Sequence, residues 1–253
     1  MLSLQTGIEL GLTHIDTAEM YGSGRVEEIV AEALAGAGAN TRERLYLVSK
    51  VMPSNATKAG TVRACEQSLK RLRTDYLDCY LLHWPGSHPL TDTIAAFEQL
   101  QAAGKIRAWG VSNFAVSELE EALAIAGPGK IACNQVLYNL TQRDIEHAVL
   151  PWCAKHSVAV VGYTPFGRGE FPPRGANGQT LERIAQRYGA TPRQITLAFL
   201  TREPYLFAIP KTSQSEHVRE NAGAVKVQLE ATDIAELDAA FPKPRPRKGV
   251  PML

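Results

Sequence analysis

Short apolar runs recur along the chain, and between them lie stretches in which apolar residues return every three or four positions. The runs are LTHIDTA (12–18), LYLVSKV (45–51), YLDCYLLHW (76–84), IRAWGVS (106–112), IACNQVLY (131–138), VAVVGYTPF (158–166) and LFAIPKT (206–212). They are rich in β-branched and aromatic residues and nearly continuous in apolarity, as parallel strands covered on both faces require. Helical stripes are formed by Val26, Ile29, Val30, Ala33 and Leu34 over 24–38, by Val62, Cys65, Leu69 and Leu72 over 58–73, and by Ile94, Phe97 and Leu100 over 92–103. Ser117-x-x-Glu120, Thr191-Pro192-x-Gln194 and Ser213-x-x-Glu216 predict capping boxes, the second with proline at the first helical position. Strand–helix alternation of this kind predicts an α/β fold on a parallel sheet, doubly wound or closed into a barrel. FGRGEFPPRGANGQ (166–179) reads as a loop and PKPRPRKGVPML (242–253) as an extended tail. No linker or composition break interrupts the pattern, so a single domain over 1–253 is expected.

Composition narrows the function classes. The 253 residues carry 27 Lys and Arg against 26 Asp and Glu, a net charge of +1, which gives no electrostatic case for nucleic acid or a membrane surface. No apolar run reaches bilayer length, and the MLSLQTGIELG start lacks the basic-then-apolar pattern of a signal peptide. Cys65, Cys79, Cys133 and Cys153 form neither a CxxC nor a zinc spacing, so buried free thiols in a reducing cytoplasm are expected. The length equals that of a complete (β/α)₈ barrel, yet only seven strand-like runs can be counted.

Residues capable of chemistry stand at the C-terminal end of almost every run: Asp16, Lys50, His83, Ser112 with Asn113, Asn134 with Gln135, Tyr163, and Lys211 with Thr212. In a barrel these ends share the face where active sites form. A doubly wound sheet uses only its switch point, so contributions from all seven runs favour the barrel. Taken singly, each residue has an ordinary reading. Asp16 suits a helix cap, Lys50 a solvated strand end, His83 a half-buried core histidine and Tyr21 loop packing. Rival motifs are incomplete: Gly22-x-Gly24 lacks the third glycine of a dinucleotide fingerprint, and GPGK (127–130) is too short for a phosphate loop. There is no HExxH or GxSxG, and no metal site is indicated.

The combination and its order change these readings. HIDTAEMYG (14–22), LVSKV (47–51), YLDCYLLHWP (76–85), GKIRAWGVSNF (104–114), NQVLYN (134–139), GYTPFGRG (162–169) and IPKTSQSEHVRENAGAV (209–225) resemble the successive signatures of the aldo-keto reductase family, from about residue 7 to residue 240. The bacterial methylglyoxal and 2,5-diketogluconate reductase-type members are the most similar. The resemblance implies a (β/α)₈ TIM barrel that here lacks the family's N-terminal hairpin and first strand. It implies a cytoplasmic monomer that reduces a small carbonyl with NADPH. The edges of the strands at 12–18 and 206–212 are then expected to be exposed.

The resemblance also assigns residues. Asp16, Tyr21, Lys50 and His83 match the family's active-site set. Tyr21 is the implied general acid, Lys50 its tuner, Asp16 the partner of Lys50 and His83 the group that orients the substrate. A tyrosine alone is a poor acid, with a pKa of about 10, and a nearby ammonium favours the tyrosinate. Tyr163 matches the ring that stacks on nicotinamide, and Ser112, Asn113 and Gln135 match its carboxamide contacts. Gly167, Arg168 and Gly169 match the pyrophosphate loop. Lys211, Thr212 and His217 fall where the 2′-phosphate binds, and Glu220 and Asn221 on the adenine side. The family commonly has arginine at His217, and arginine grips phosphate with a fixed fork that histidine lacks, so NADH use stays open. Trp84, Trp109 and Phe114 are candidate substrate-pocket walls, with core packing as the alternative for each. The rival function is a cofactor-binding regulatory module or truncated paralogue, against which the intact four-residue set argues.

Overall fold

The computed structural model describes residues 2–38, 41–246 and 248–252; Met1, Ala39, Asn40, Arg247 and Leu253 of the predicted domain and tail lie outside the described residues. The chain divides into two compact units, residues 1–135 and 136–253.

In the first unit the predicted runs form β1 (His14–Asp16), β2 (Tyr46–Val51), β3 (Leu77–Leu82), β4 (Ile106–Ser112) and the greater part of β5 (Ile131–Leu137). Neighbours pair in parallel and in chain order. All six residues of β3 are buried, which explains a continuous rather than alternating apolar run. Asp78, its second residue, is matched by charge: Oδ2 accepts from Leu47 N at 3.0 Å and lies 2.8 Å from Arg42 Nη1, while Oδ1 accepts from Arg107 Nη1 at 2.9 Å. Between β4 and β5 the register shifts at Trp109/Val111. Gly110 allows this close approach, since a Cβ there would stand 2.6 Å from the Cys133 carbonyl oxygen.

The striped segments become α2 (Arg25–Ala35), α3 (Lys58–Leu72) and α4 (Leu90–Ala102), preceded by α1 (Leu2–Glu9) and followed by α5 (Val116–Ala126). α3 is capped by Thr57, whose Oγ1 accepts from Gly60 N at 3.0 Å, and ends at Arg73 in the left-handed region. The box expected at Ser117–Glu120 is not used. α5 begins earlier, and the Glu118 carboxylate accepts from Ala115 N at 2.6 Å, doing the capping from inside the first turn.

The second unit contains the end of β5, then α6 (Val149–Lys155), β6 (Ala159–Tyr163), α7 (Ala176–Arg187), α8 (Pro192–Leu200), β7 (Leu206–Ile209), α9 (Ser215–Ala222) and α10 (Ala231–Ala240). β6 and β7 pair in parallel. The Thr191 box forms as predicted, with Gln194 N donating to Thr191 Oγ1 at 3.3 Å and Thr191 N to Gln194 Oε1 at 3.0 Å. The Ser213 box does not. Thr212 Oγ1 accepts from Gln214 N at 3.1 Å, and this local turn delays the helix to Ser215. α7 also starts inside the stretch read as a loop, at Ala176. Residues 242–246 and 248–252 form neither helix nor strand, in keeping with an extended tail.

Seven strands are described, matching the count of apolar runs. β1 and β7 stand at the ends of the strand order. All four cysteines are buried. No helix among the described residues is long and apolar enough to cross a membrane.

Candidate active site

The first unit brings Asp16, Tyr21, Lys50 and His83 together at the C-terminal ends of β1, β2 and β3. Lys50, on a strand whose last five residues are buried, is itself 0% exposed. A buried ammonium needs matched acceptors. Lys50 Nζ has them in the Asp16 carboxylate, Oδ1, and in the Thr17 carbonyl oxygen at 2.9 Å. The same nitrogen lies 5.1 Å from the centroid of the Tyr21 ring. Tyr21 and His83 meet edge to face, with centroids 5.6 Å apart, and His83 lies 4.9 Å from the Trp84 ring.

Tyr21 stands on a 3₁₀ turn, Tyr21–Gly24, whose next three residues are all left-handed: Gly22 at φ 56°, Ser23 at φ 53° and Gly24 at φ 92°. Two of the three are glycines, which take this conformation without steric cost. Gly24 is also pressed against Arg71, whose Cδ would lie 2.7 Å from a Cβ there.

Electrostatics sets the state of His83. Its imidazole is pushed down to about 4, first by burial and then by the Lys50 charge, with Asp16 pulling the other way. It is therefore neutral at pH 7, and its buried Nδ1 has no hydrogen-bond partner among the described residues. This carries a stability consequence. Between the unfolded value of 6.5 and about 4, the unfolded chain binds a proton at this position that the folded chain does not. The contribution is fully present above pH 6.5 and is lost as pH falls towards 4, an effect of at most about 3 kcal/mol. Urea titrations of His83→Gln are expected to lose less stability between pH 7 and pH 4.5 than the wild type. Identical losses would contradict the assignment. His14, also lowered mainly by burial, contributes the same background slope to both proteins.

The amide-bearing residues gather beside this cluster. Asn113, left-handed at φ 61°, donates through Nδ2 to the His83 carbonyl at 3.2 Å and to Ser112 Oγ at 3.1 Å. Asn134 is a brace: Nδ2 donates to the Phe114 carbonyl at 2.9 Å. Gln135 Nε2 donates to Asp16 Oδ2 at 2.8 Å, so each Asp16 oxygen has its own donor. That bond joins residues 119 positions apart, and no local pattern announces it. Of the three aromatic wall candidates, Trp109 and Phe114 are each 1% exposed, and Trp109 stacks on Phe97 at 5.5 Å. Both belong to the core, and only Trp84 is half-exposed beside His83.

The other implied cofactor residues lie in the second unit. Tyr163 ends β6. Gly167 (φ 70°) and Gly169 (φ 121°) are left-handed, with no atom within 4 Å of where a Cβ would sit, so backbone is open to close approach there. Arg168 and Lys211 are exposed. Thr212 Oγ1 lies 3.5 Å from His217 Nδ1 in the first turn of α9. Glu220 pairs with Arg193 at 3.6 Å. Asn221 is buried, and its Oδ1 has no hydrogen-bond partner among the described residues. Accessible glycine backbone, exposed cations and an unsatisfied amide suit a phosphate-bearing, base-bearing ligand. Among the described residues no cluster of His, Cys, Asp and Glu could hold a metal ion.

Comparison with known proteins extends over nearly the whole length. Residues 3–241 match the model of the aldo/keto reductase family. The chain is 43% identical over 252 residues to Methylglyoxal reductase YeaE of Escherichia coli (strain K12), covering 99% of this chain and 87% of that protein. Among solved structures it is similar to an aldo/keto reductase from Klebsiella pneumoniae in complex with NADP and acetate. The TM-score is 0.91 at 44% identity, covering 100% of this chain and 88% of that one. A Klebsiella pneumoniae aldo-keto reductase in complex with NADPH gives a TM-score of 0.90 at 44% identity, with the same coverage. The fold class is accordingly α/β, the (β/α)₈-type barrel of these enzymes with seven strands described here. The chain belongs to the aldo/keto reductase family.

Proposed function

We propose that this protein reduces small aldehydes and dicarbonyls of the methylglyoxal kind to alcohols, using NADPH. The observation that carries the reading is the buried, charge-matched Lys50 beside the Tyr21 ring, with neutral His83 against that ring's edge. The names of the relatives agree, since one is a methylglyoxal reductase and the Klebsiella structures hold NADP and NADPH.

Reduction of a carbonyl needs a hydride on carbon and a proton on the developing alkoxide. Bound NADPH supplies the hydride. Ser112, Asn113, Gln135 and Tyr163 are the residues we assign to its nicotinamide. Gly167, Arg168 and Gly169 take the pyrophosphate, Lys211, Thr212 and His217 the 2′-phosphate, and Glu220 and Asn221 the adenine. Gln135 can serve two partners, because a primary amide has two N–H groups and a carbonyl. One N–H is committed to Asp16, which leaves the rest of the amide for the cofactor.

Tyr21 gives its proton to the substrate oxygen. The Lys50 ammonium, 5.1 Å from the ring centroid, is the cation that stands beside the tyrosinate left behind. Asp16 holds Lys50 in place. Neutral His83 carries one ring proton, and placed on Nε2 it makes a hydrogen-bond donor to the same oxygen. Trp84, half-exposed beside it, forms one wall for the substrate.

Steady-state consumption of NADPH by the pure protein over a panel of small aldehydes, with methylglyoxal among them, tests the reading. Turnover that saturates with methylglyoxal is expected. NADPH binding without turnover on any member would favour a cofactor-binding module instead.

A further inference from the structure

We infer that Glu19 is a positioning residue that fixes the distance between Tyr21 and Lys50. This rests on the reading of Tyr21 as the proton donor.

Tyr21 is carried on a turn held by local backbone bonds, Tyr21 N donating to the Ala18 carbonyl at 3.1 Å and Ser23 N to the Met20 carbonyl at 3.2 Å. After it come three successive left-handed residues, and no strand ladder reaches it. On the N-terminal side the chain still runs alongside β2, with Thr17 N donating to the Val48 carbonyl at 2.9 Å and Glu19 N to the Lys50 carbonyl at 3.3 Å. The Glu19 side chain extends this attachment. Its Oε1 accepts from Met52 N at 2.6 Å and from Asn55 Nδ2 at 3.0 Å. Met52 and Asn55 belong to the turn that leaves β2, the strand that holds Lys50. Glu19 stands two residues before Tyr21, and Met52 two residues after Lys50. One carboxylate oxygen therefore ties the turn carrying the acid to the turn leaving the strand of the ammonium. Hydrogen bonds to a charged acceptor are among the stronger ones available for such a tie. Glu19 is half-buried and is not assigned to substrate or cofactor.

The consequence is kinetic. With the tie cut, the Tyr21 hydroxyl samples positions off the productive line, and misplacement by about 1 Å costs on the order of 100-fold in rate. The nicotinamide and phosphate contacts assigned above do not involve Glu19. Glu19→Ala is therefore expected to lower kcat with methylglyoxal about 10- to 100-fold. The KM and the NADPH dissociation constant, read by tryptophan fluorescence, should stay within about twofold of wild type. Glu19→Gln should recover most of kcat, because its amide oxygen still accepts from Met52 N. Should Glu19→Ala be insoluble, Asn55→Ala removes one of the two donors and is expected to lower kcat alone, about threefold, a loss smaller than one net hydrogen bond.

Tyr21→Phe is measured in parallel. If Tyr21→Phe is inactive while Glu19→Ala (or Asn55→Ala in its place) keeps wild-type kcat, the Tyr21 reading stands and the tie is overturned. Equal losses in the alanine and glutamine variants, with weaker NADPH binding in both, also overturn it in favour of a general structural role. Wild-type activity in Tyr21→Phe overturns the reading of Tyr21 and the proposal with it.

Discussion

Tyr21→Phe is expected to reduce kcat for methylglyoxal by a factor of about 100 to 10,000, the usual worth of a positioned general acid, and to leave NADPH binding unchanged. The substitution removes one oxygen and keeps the ring, so the edge-to-face contact with His83 and the stacking distance to Lys50 survive. No residue assigned to the cofactor is altered. A small loss of kcat with weakened binding would assign Tyr21 to cofactor packing rather than to proton transfer. Stopped-flow measurement of the reduction step, beside an equilibrium titration with NADPH, separates the two.

The second large effect concerns stability, far in sequence from the first. In the second unit Arg143 is 1% exposed and makes a two-pronged bond to Glu146, from Nε at 2.7 Å and from Nη2 at 2.8 Å. It also reaches the Asp238 carboxylate at 2.6 Å and the Phe241 carbonyl at 2.6 Å, fastening the end of α10. Tyr138 Oη donates to the same Glu146 at 2.7 Å. Burial raises the Glu146 carboxyl, but the bonds from Arg143 and Tyr138 win and hold it down at about 2. Arg143→Met is expected to cost about 3 kcal/mol, the low end for breaking a buried pair, because Arg202 and Lys243 remain near Glu146. Thermal unfolding should then begin about 6–12 °C lower. Arg143→Met with Glu146→Leu should recover much of the loss, since no buried charge is left without a partner. The sign with pH follows: the Glu146 contribution is complete above pH 4.5 and fades as pH falls towards 2. A double variant as unstable as the single one would show that the fastening of α10, not the buried charge, sets the cost.

These two cases mark what can and cannot be read from sequence. The strands were legible because β3 and its neighbours are buried on both faces, and continuous apolarity is the direct trace of that burial. Asp16, Tyr21, Lys50 and His83 could be singled out because their motifs, in chain order, resemble the family's signatures, and Asp16, Lys50 and His83 fall at or next to the ends of β1, β2 and β3. Helix starts were less legible. At Ala115 and Gln214 the chain used Glu118 and Thr212 to satisfy backbone N–H groups that a Ser-x-x-Glu pattern placed elsewhere. Trp109 and Phe114 read equally well as wall or core, and only burial decides for core. The bonds from Gln135 to Asp16 and from Met52 N to Glu19 were not visible, because they depend on which strand ends and turns meet. The network around Arg143 was missed for the same reason, although its i, i+3 spacing to Glu146 is a local hint.

On the proposed reading, Lys50 acts through Tyr21 within one proton-donating unit. The most direct measurement is a double-mutant cycle on kcat, comparing wild type, Tyr21→Phe, Lys50→Met and the pair, with NADPH binding confirmed in each. Residues that work as one unit show strongly non-additive losses. The double variant is therefore expected to be no slower than Tyr21→Phe alone, within about threefold, because residues in one network share their effect. A double variant slowed by the product of the two single losses would show that Lys50 and Tyr21 contribute independently, and would contradict the account.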